Sequence, residues 1–298
     1  MKTLLITALF VQALTIGWAQ LPNTNVYLFS VQKTGDNFTF YNPRFLTGFN
    51  KYGYNNQPHF VTNNEIYLTV GFPGEKGKTD IYALSLLDNV KTQITATGES
   101  EYSPTITPDR NFVSCVRVDK DNVQRVWKYP LDRSSKGVPV FRTTKDVGYH
   151  CWLDHKNLAL FILRGESNYL KIVNTDTEAS TDLSTGIGRS LVKLPNGKLG
   201  FIHKATEKEW YVKQMDVNSF GSERIAQTPP NSEDFICLGD GTLIMGQSGK
   251  LYAYKPGGTQ QEWREIADLR PYGIQNIKRL AISREGDKIA LVNDVTDA

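Results

Sequence analysis

"EYSPTITPDRNFVSCVRVD", residues 101–119, is the stretch whose reading decides the fold. Two runs of apolar or alternating residues flank the corner Pro108-Asp109-Arg110-Asn111. Pro presets a turn dihedral, and Asp and Asn bond their own backbone, so this stretch reads as strand, sharp turn, strand.

The same unit recurs along the chain. "QPHFVTNNEIYLTVG" (57–71) precedes it. "HCWLDHKNLALFILRG" (150–165), "SLVKLPNGKLGFIHK" (190–204), "DFICLGDGTLIMGQ" (234–247) and "RLAISREGDKIALVND" (279–294) follow. The units begin at 57, 103, 150, 190, 234 and 279, in steps of 46, 47, 40, 44 and 45 residues. A third strand follows each of the first five: "DIYALSL" (80–86), "VWKYPLD" (126–132), "YLKIVNTD" (169–176), "WYVKQMDV" (210–217) and "KLYAYKP" (250–256). A fourth follows in most. Four antiparallel strands every 45 residues or so is the signature of a β-propeller blade.

The sixth unit has only two strands, ending at "KIALVND" (288–294). The missing pair stands at the other end, as "NVYLFSVQ" (25–32) and "FYNPRFLTG" (40–48). An open ring would leave strand edges exposed, so the complementary deficits predict closure in a shared blade. The expected fold is all-β: a six-bladed β-propeller, its last blade closed by two N-terminal strands. The expected blades span 55–98, 99–146, 147–187, 188–231, 232–274, and 275–298 plus 25–48, in one domain over 20–298.

Residues 1–19 stand outside that domain. Lys2, the apolar run "LLITALFVQALTI" and small residues at Gly17 and Ala19 read as a signal peptide cleaved after Ala19. No later run has the length of a membrane span. These features predict export, to a periplasm or the exterior. The net charge of +3 is scattered and forms no basic stripe, which argues against nucleic acid. A chain of this size needs no disulfide staple. Cys115, Cys151 and Cys237 lie in apolar strands and read as small buried hydrophobes, with a Cys151–Cys237 bridge as the alternative.

"SPTITPDRNFVSCV", followed by a third strand such as "DIYALSL", resembles the TolB-type WD40-like repeat family. "NPRFLTGFNKYGYNNQPHFV" (42–61) is similar to that family's blade linker. The resemblance covers nearly the whole chain after residue 19. It implies a propeller that binds a protein or cell-envelope component. TolB itself carries an α/β domain before its propeller. Here the first strand begins about five residues after the expected cut, so a direct TolB role is not implied.

No catalytic motif stands out: "GQSGK" lacks the spacing of a nucleophile elbow, and "GIGRSL" lacks a third glycine. "HCWLDH" tempts a zinc reading, but His150 and Cys151 are adjacent on a strand and point to opposite faces. No metal ligands are therefore assigned. What remains is the channel mouth where innermost strands begin. Aligning the hairpins by their turns gives one ring of Gln57, Ser103, His150, Ser190, Asp234 and Arg279. The preceding ring is Asn56, Tyr102, Tyr149, Arg189, Glu233 and Lys278. Acid, base and tyrosine together suit a polar ligand or a peptide. The first reading is thus an exported, monomeric, non-catalytic binding propeller without a cofactor. The alternative is a metal-dependent hydrolase or lactonase-type enzyme in the channel, with Ca²⁺ held by Glu233, Asp234, Asn56 and Asn276.

Overall fold

The computed structural model describes residues 21–165, 167–259 and 261–295. The expected signal peptide lies outside the described residues. Among them the chain forms six antiparallel sheets of four strands. β1 (Thr24–Thr34) and β2 (Asn37–Phe45) come first. The first complete blade is β3 (Tyr54–Thr62), β4 (Glu65–Gly71), β5 (Asp80–Ser85) and β6 (Lys91–Gln93). The second is β7 (Ser100–Ile106), β8 (Phe112–Val118), β9 (Gln124–Pro130) and β10 (Val138–Pro139). The third is β11 (Val147–Trp152), β12 (Asn157–Ile162), β13 (Tyr169–Asn174) and β14 (Ser180–Thr185). The fourth is β15 (Ile187–Lys193), β16 (Leu199–Lys204), β17 (Trp210–Met215) and β18 (Ser222–Gln227). The fifth is β19 (Phe235–Cys237), β20 (Leu243–Gln247), β21 (Lys250–Tyr254) and β22 (Arg264–Asp268). β23 (Ile277–Ile282) and β24 (Lys288–Asp294) complete the count, and the sixth sheet has the order β2-β1-β24-β23. The ring is a six-bladed β-propeller.

The hairpin turns close by one device. A short side chain accepts a backbone N–H two residues on: Thr62 from Asn64 (3.1 Å), Asp109 from Asn111 (3.1 Å), Asp154 from Lys156 (2.7 Å), Asn196 from Lys198 (3.0 Å) and Asp240 from Thr242 (3.0 Å). In the last hairpin Ser283 accepts from Lys288 instead (3.0 Å). The side chain mimics a backbone turn, which is why these corners are rich in Asp and Asn.

The second strand of each blade is largely buried on both faces, and in β12 its sequence is a continuous apolar run from Leu158 to Ile162. Leu158, Leu160 and Ile162 of β12 pack towards the second blade with Val116 and Val126, while Ala159 and Phe161 pack towards the fourth with Leu199 and Phe201. β24 divides the same way. Ile289 and Leu291 meet Ile236 and Ile244, and Ala290 and Val292 meet Ile66 and Leu68. Period-two alternation thus feeds a separate core between each pair of neighbours. The cysteines belong to these layers as free thiols, Cys115 buried and Cys151 and Cys237 half-buried. Burial pushes the Cys151 thiol up to about 11.

The seam where the ring closes carries both apolar and polar contacts. β1 pairs antiparallel with β24 from Thr24↔Asp294 to Ser30↔Lys288. Beside it lies a buried amide network reaching into the first blade. Asn55 is fully buried, and its Nδ2 donates to the carbonyls of Thr24 (2.8 Å) and Asn50 (2.8 Å). Its Oδ1 accepts from Asn50 Nδ2 (3.0 Å), and its backbone N–H donates to Thr24 Oγ1 (3.0 Å). Truncating Asn55 strands several buried partners at once. Asn55→Ala is expected to lower stability by about 2–3 kcal/mol. Leu87→Ala, at a residue 77% exposed, should stay within about 0.5 kcal/mol of the parent. Urea midpoints at unchanged slope would show the difference, and equal midpoints would mean the network does not hold the seam.

Candidate functional site

The innermost strands β3, β7, β11, β15, β19 and β23 line a central chamber of about 650 Å³. One end, the start mouth, is where these strands begin; the other, the turn mouth, is where they enter their hairpin corners.

At the start mouth, opposite charges from neighbouring blades meet. Arg189 Nε donates to Asp234 Oδ2 (2.7 Å), and its Nη2 makes a second bond to the same oxygen. Arg279 Nη1 reaches Asp234 Oδ1 (3.5 Å), so one carboxylate serves two guanidiniums. Arg279 Nη2 also donates to the Tyr149 hydroxyl (2.8 Å), with the guanidinium 4.9 Å from that ring. Burial works against the charge on Arg279, but Tyr149 and Asp234 outweigh it and its pKa lies above the usual value. Glu233 Oε1 accepts the Arg189 backbone N–H (2.8 Å) and faces Lys204 Nζ (3.1 Å). Burial pushes that carboxyl up, yet Arg189, its N–H and Lys204 together hold it below the usual range. These pairs form a floor. Arg189, Asp234 and Arg279 border both the chamber and a polar basin of about 260 Å³ on the start side, which Glu233, Gln247 and Lys278 also line.

The two predicted rings mix. All six members of the turn-aligned ring, Gln57, Ser103, His150, Ser190, Asp234 and Arg279, line the chamber. Tyr149 and Arg189 from the preceding ring line it too, Tyr149 bonding Arg279 across the axis and Arg189 bonding Asp234 of the next blade. His150 and Ser190 are buried and turn to neighbouring strands, His150 Nε2 lying 2.8 Å from Ser114 Oγ and Ser190 Oγ accepting from the Phe235 N–H (3.4 Å). Pairing is irregular at this level in five of the six innermost strands, between Asn56 and His59, Tyr102 and Thr105, Val147 and Tyr149, Ile187 and Leu191, and Ile277 and Arg279. Gly148 and Gly188 are the signal that could have shown it, since a lone glycine in a strand marks a bulge or close approach. A Cβ on Gly188 would stand 2.9 Å from Glu233 Oε1. Asn56 is buried, and its Oδ1 accepts from the Gln57 N–H (2.8 Å). Tyr102 packs edge-on against Tyr54, 6.5 Å between ring centres. Lys278 reaches Asp294 (3.9 Å) at the basin.

Two of the ring positions are strained. Gln57 and Ser103 have φ of 53° and 56°, a left-handed conformation that costs a side-chain-bearing residue energy. The Ser103 N–H is held by Gln57 Oε1 (3.0 Å) and Thr69 Oγ1 (3.1 Å), which offsets that cost.

Deeper in the chamber stand two neutral histidines, His150 of the turn-aligned ring and His59, for which the sequence predicts no role. His59 Nε2 accepts the Ile106 N–H (3.1 Å). Ser114 Oγ donates to the Thr105 carbonyl (3.1 Å) and accepts from Trp152 Nε1 (2.9 Å). Its single proton being used, His150 Nε2 is the donor to it, and His150 Nδ1 remains a bare acceptor with no partner. Burial, then Arg110, pushes His59 down to about 4; burial, then His59, pushes His150 down to about 3.

The fold and site define a six-bladed propeller with a charge-paired floor across its channel. No family model matches the chain, and no curated protein matches it in sequence. Among solved structures it is similar to a protein described as TolB from Agrobacterium tumefaciens, at 13% identity and a TM-score of 0.67, covering 92% of this chain and 98% of that one. It is also similar to a chain of a nidogen–laminin complex, at 11% identity and a TM-score of 0.63, covering 86% and 97%. An oligogalacturonate lyase from Vibrio parahaemolyticus matches at 11% identity and a TM-score of 0.50, covering 92% and 98%. The TolB likeness agrees with the repeat read from the sequence. At these identities it establishes the fold, which hosts binding proteins and enzymes alike.

Two predictions follow from the site. Removing one member of the floor leaves a buried charge unpaired, so Asp234→Asn should cost about 3 kcal/mol. In a double-mutant cycle with Arg279→Met, a coupling near zero would show that the pair is not a unit. For the histidines, the folded pKa lies below the unfolded value of 6.5. The unfolded chain therefore binds more protons as pH falls, and stability is lost from about pH 6.5 towards 4. Glu101 acts in the opposite sense over part of that window, because burial pushes it up to about 7. The comparison must therefore be between variants: His150→Gln should flatten the acid slope of the denaturation free energy, and an unchanged slope would mean His150 is not buried in neutral form.

Proposed function

We propose that this protein is an exported, non-catalytic propeller that binds a protein or cell-envelope component at its start mouth. One observation carries the reading: the mouth charges are already paired with each other over a polar basin of about 260 Å³. A self-paired network presents donors and acceptors in fixed positions and little unbalanced charge. That suits the polar surface of a macromolecule better than a free ion. The N-terminal sequence supports export, and among the described residues no helix is long and apolar enough to cross a membrane.

The geometry gives the metal-enzyme reading little support. Glu233 and Asp234 turn their oxygens to Arg189, Lys204 and Arg279, and Asn56 turns its oxygen to its own chain. A divalent cation would have to displace those cations and still find several more oxygens.

The test is capture of partners from the native envelope by tagged protein, with wild type beside a Lys278→Glu, Gln247→Ala variant. Both positions border the basin and lie outside the floor's ion pairs, so the fold should survive. The expected result is one dominant partner, at least tenfold depleted with the variant. Equal capture by both would remove the basin from the site. Melting with Ca²⁺ and then a chelator should shift by less than about 1 °C; a shift of many degrees would favour the enzyme.

A further inference from the structure

The turn mouth of the chamber is chemically unlike the start mouth. Arg110, Lys193 and Arg284 line it, and none of the three has an ion-pair partner within bonding distance among the described residues. Arg110 spends one N–H on the Val61 carbonyl (2.6 Å), a neutral acceptor that leaves its charge uncompensated. Lys193 and Arg284 are exposed. With Arg189 and Arg279 at the floor, the chamber lining holds five cations and one carboxylate, Asp234, which the floor pairs already engage.

Acidic residues stand near this mouth, but other contacts engage them. Asp109 bonds Thr107 and the Asn111 N–H. Asp154, which is close enough to Lys193 for the charges to interact, accepts from the N–H groups of Lys156 and Asn157. Asp287 accepts from Ser283 and Lys288. These contacts hold Asp109 and Asp154 at their corners with their charge kept but no ion pair to Arg110, Lys193 or Arg284 among the described residues, and Asp154 acts on Lys193 only from beyond bonding distance.

The wall between mouth and floor is largely apolar. Ile106, Trp152, Leu191, Ile236, Leu280 and Ile282 contribute to it. The two histidines behind it are neutral at ordinary pH and add no charge.

From a largely apolar wall below a rim of cations without ion-pair partners, we infer that the chamber is a second binding site, for a slender ligand with an apolar body and an anionic head. The body lies along the wall and excludes water; the head stays at the rim between Arg284, Lys193 and Arg110. An apolar body seeks the wall, and a carboxylate at the rim gains charge-assisted hydrogen bonds. The site lies at the opposite end of the channel from the basin, so the inference does not depend on the proposed function.

Titration calorimetry on the full chain tests it with three probes of equal length: octanoate, octan-1-ol and octylammonium. Octanoate should bind at one site per chain, at least tenfold more tightly than either of the others. Neutralising the rim with Arg284→Gln and Lys193→Gln should weaken octanoate at least tenfold and leave octan-1-ol within twofold. Filling the wall with Leu280→Trp should weaken all binding. Quenching of Trp152, read as the difference from Trp152→Phe, should accompany octanoate binding. Equal affinity for the three probes, or octanoate binding unaffected by the rim variant, would overturn the inference. Loss of the basin's partner in the earlier experiment would leave this result untouched.

Discussion

The antiparallel ladder that runs from Thr24↔Asp294 to Ser30↔Lys288 joins strands from opposite ends of the sequence, and the blade cores on either side take their geometry from that joint. Without it β24 would present an unpaired edge beside β1, and the sixth blade would be two hairpin halves too small to bury their faces. Sequence separation is a small obstacle. Each doubling of a loop adds only about 0.6 kcal/mol of closure cost. Burying a single side chain such as Phe29, fully enclosed at the seam, returns more than that, roughly 1.5–3 kcal/mol. The amides of Asn50 and Asn55 then fix how the first blade meets the seam, because Asn55 donates to the Thr24 carbonyl of β1 and to the Asn50 carbonyl, and Asn50 donates in turn to the Gly71 carbonyl of the first blade.

Closing the ring also determines what the channel ends can do. Six strand starts converge on one axis, so side chains far apart in sequence are forced together. Arg189 and Asp234 are 45 positions apart and Arg279 and Tyr149 are 130, yet both pairs bond directly. Charges brought this close and partly shielded from water must pair or pay a large desolvation cost. The floor is the outcome. It makes the start mouth specific in shape and nearly balanced in charge.

The repeat was legible in the sequence because two signals coincide. The corners "TPDR" and "LPNG" punctuate, and the run "LALFIL" at 158–163 is continuously apolar, as a strand buried on both faces must be. The shared blade was legible from the complementary deficits of "NVYLFSVQ" and "KIALVND". The mouth was legible only as a set of residue types. Alignment by turns assumes that each strand keeps regular pairing from corner to start, and five of the six innermost strands depart from it near their starts. Tyr149 and Arg189 therefore join His150 and Ser190 in lining the chamber, and members of both rings face it. The alignment places His150 in the ring, but its partnership with His59 and the neutrality of both were not legible, because those come from burial beside Ser114 and Arg110, in a strand and a turn remote from the ring.

The contrast between the two ends of the channel has a common origin in the hairpin. A strand start is followed by no tight turn, so its carboxylates are free to find guanidiniums of the neighbouring blades, as Asp234 and Glu233 do. A strand end runs at once into a corner, and the corner needs an acceptor to hold the next N–H groups. Asp109, Asp154 and Asp240 meet that local demand. Some corner carboxylates serve cations as well, Asp240 pairing with Lys33 and Lys255 and Asp287 with Lys288, but Arg110, Lys193 and Arg284 have no ion-pair partner among the described residues. The chamber lining is thereby polarised along its axis: paired charge at the start mouth, three cations without an ion-pair partner at the turn mouth, and an apolar wall between them.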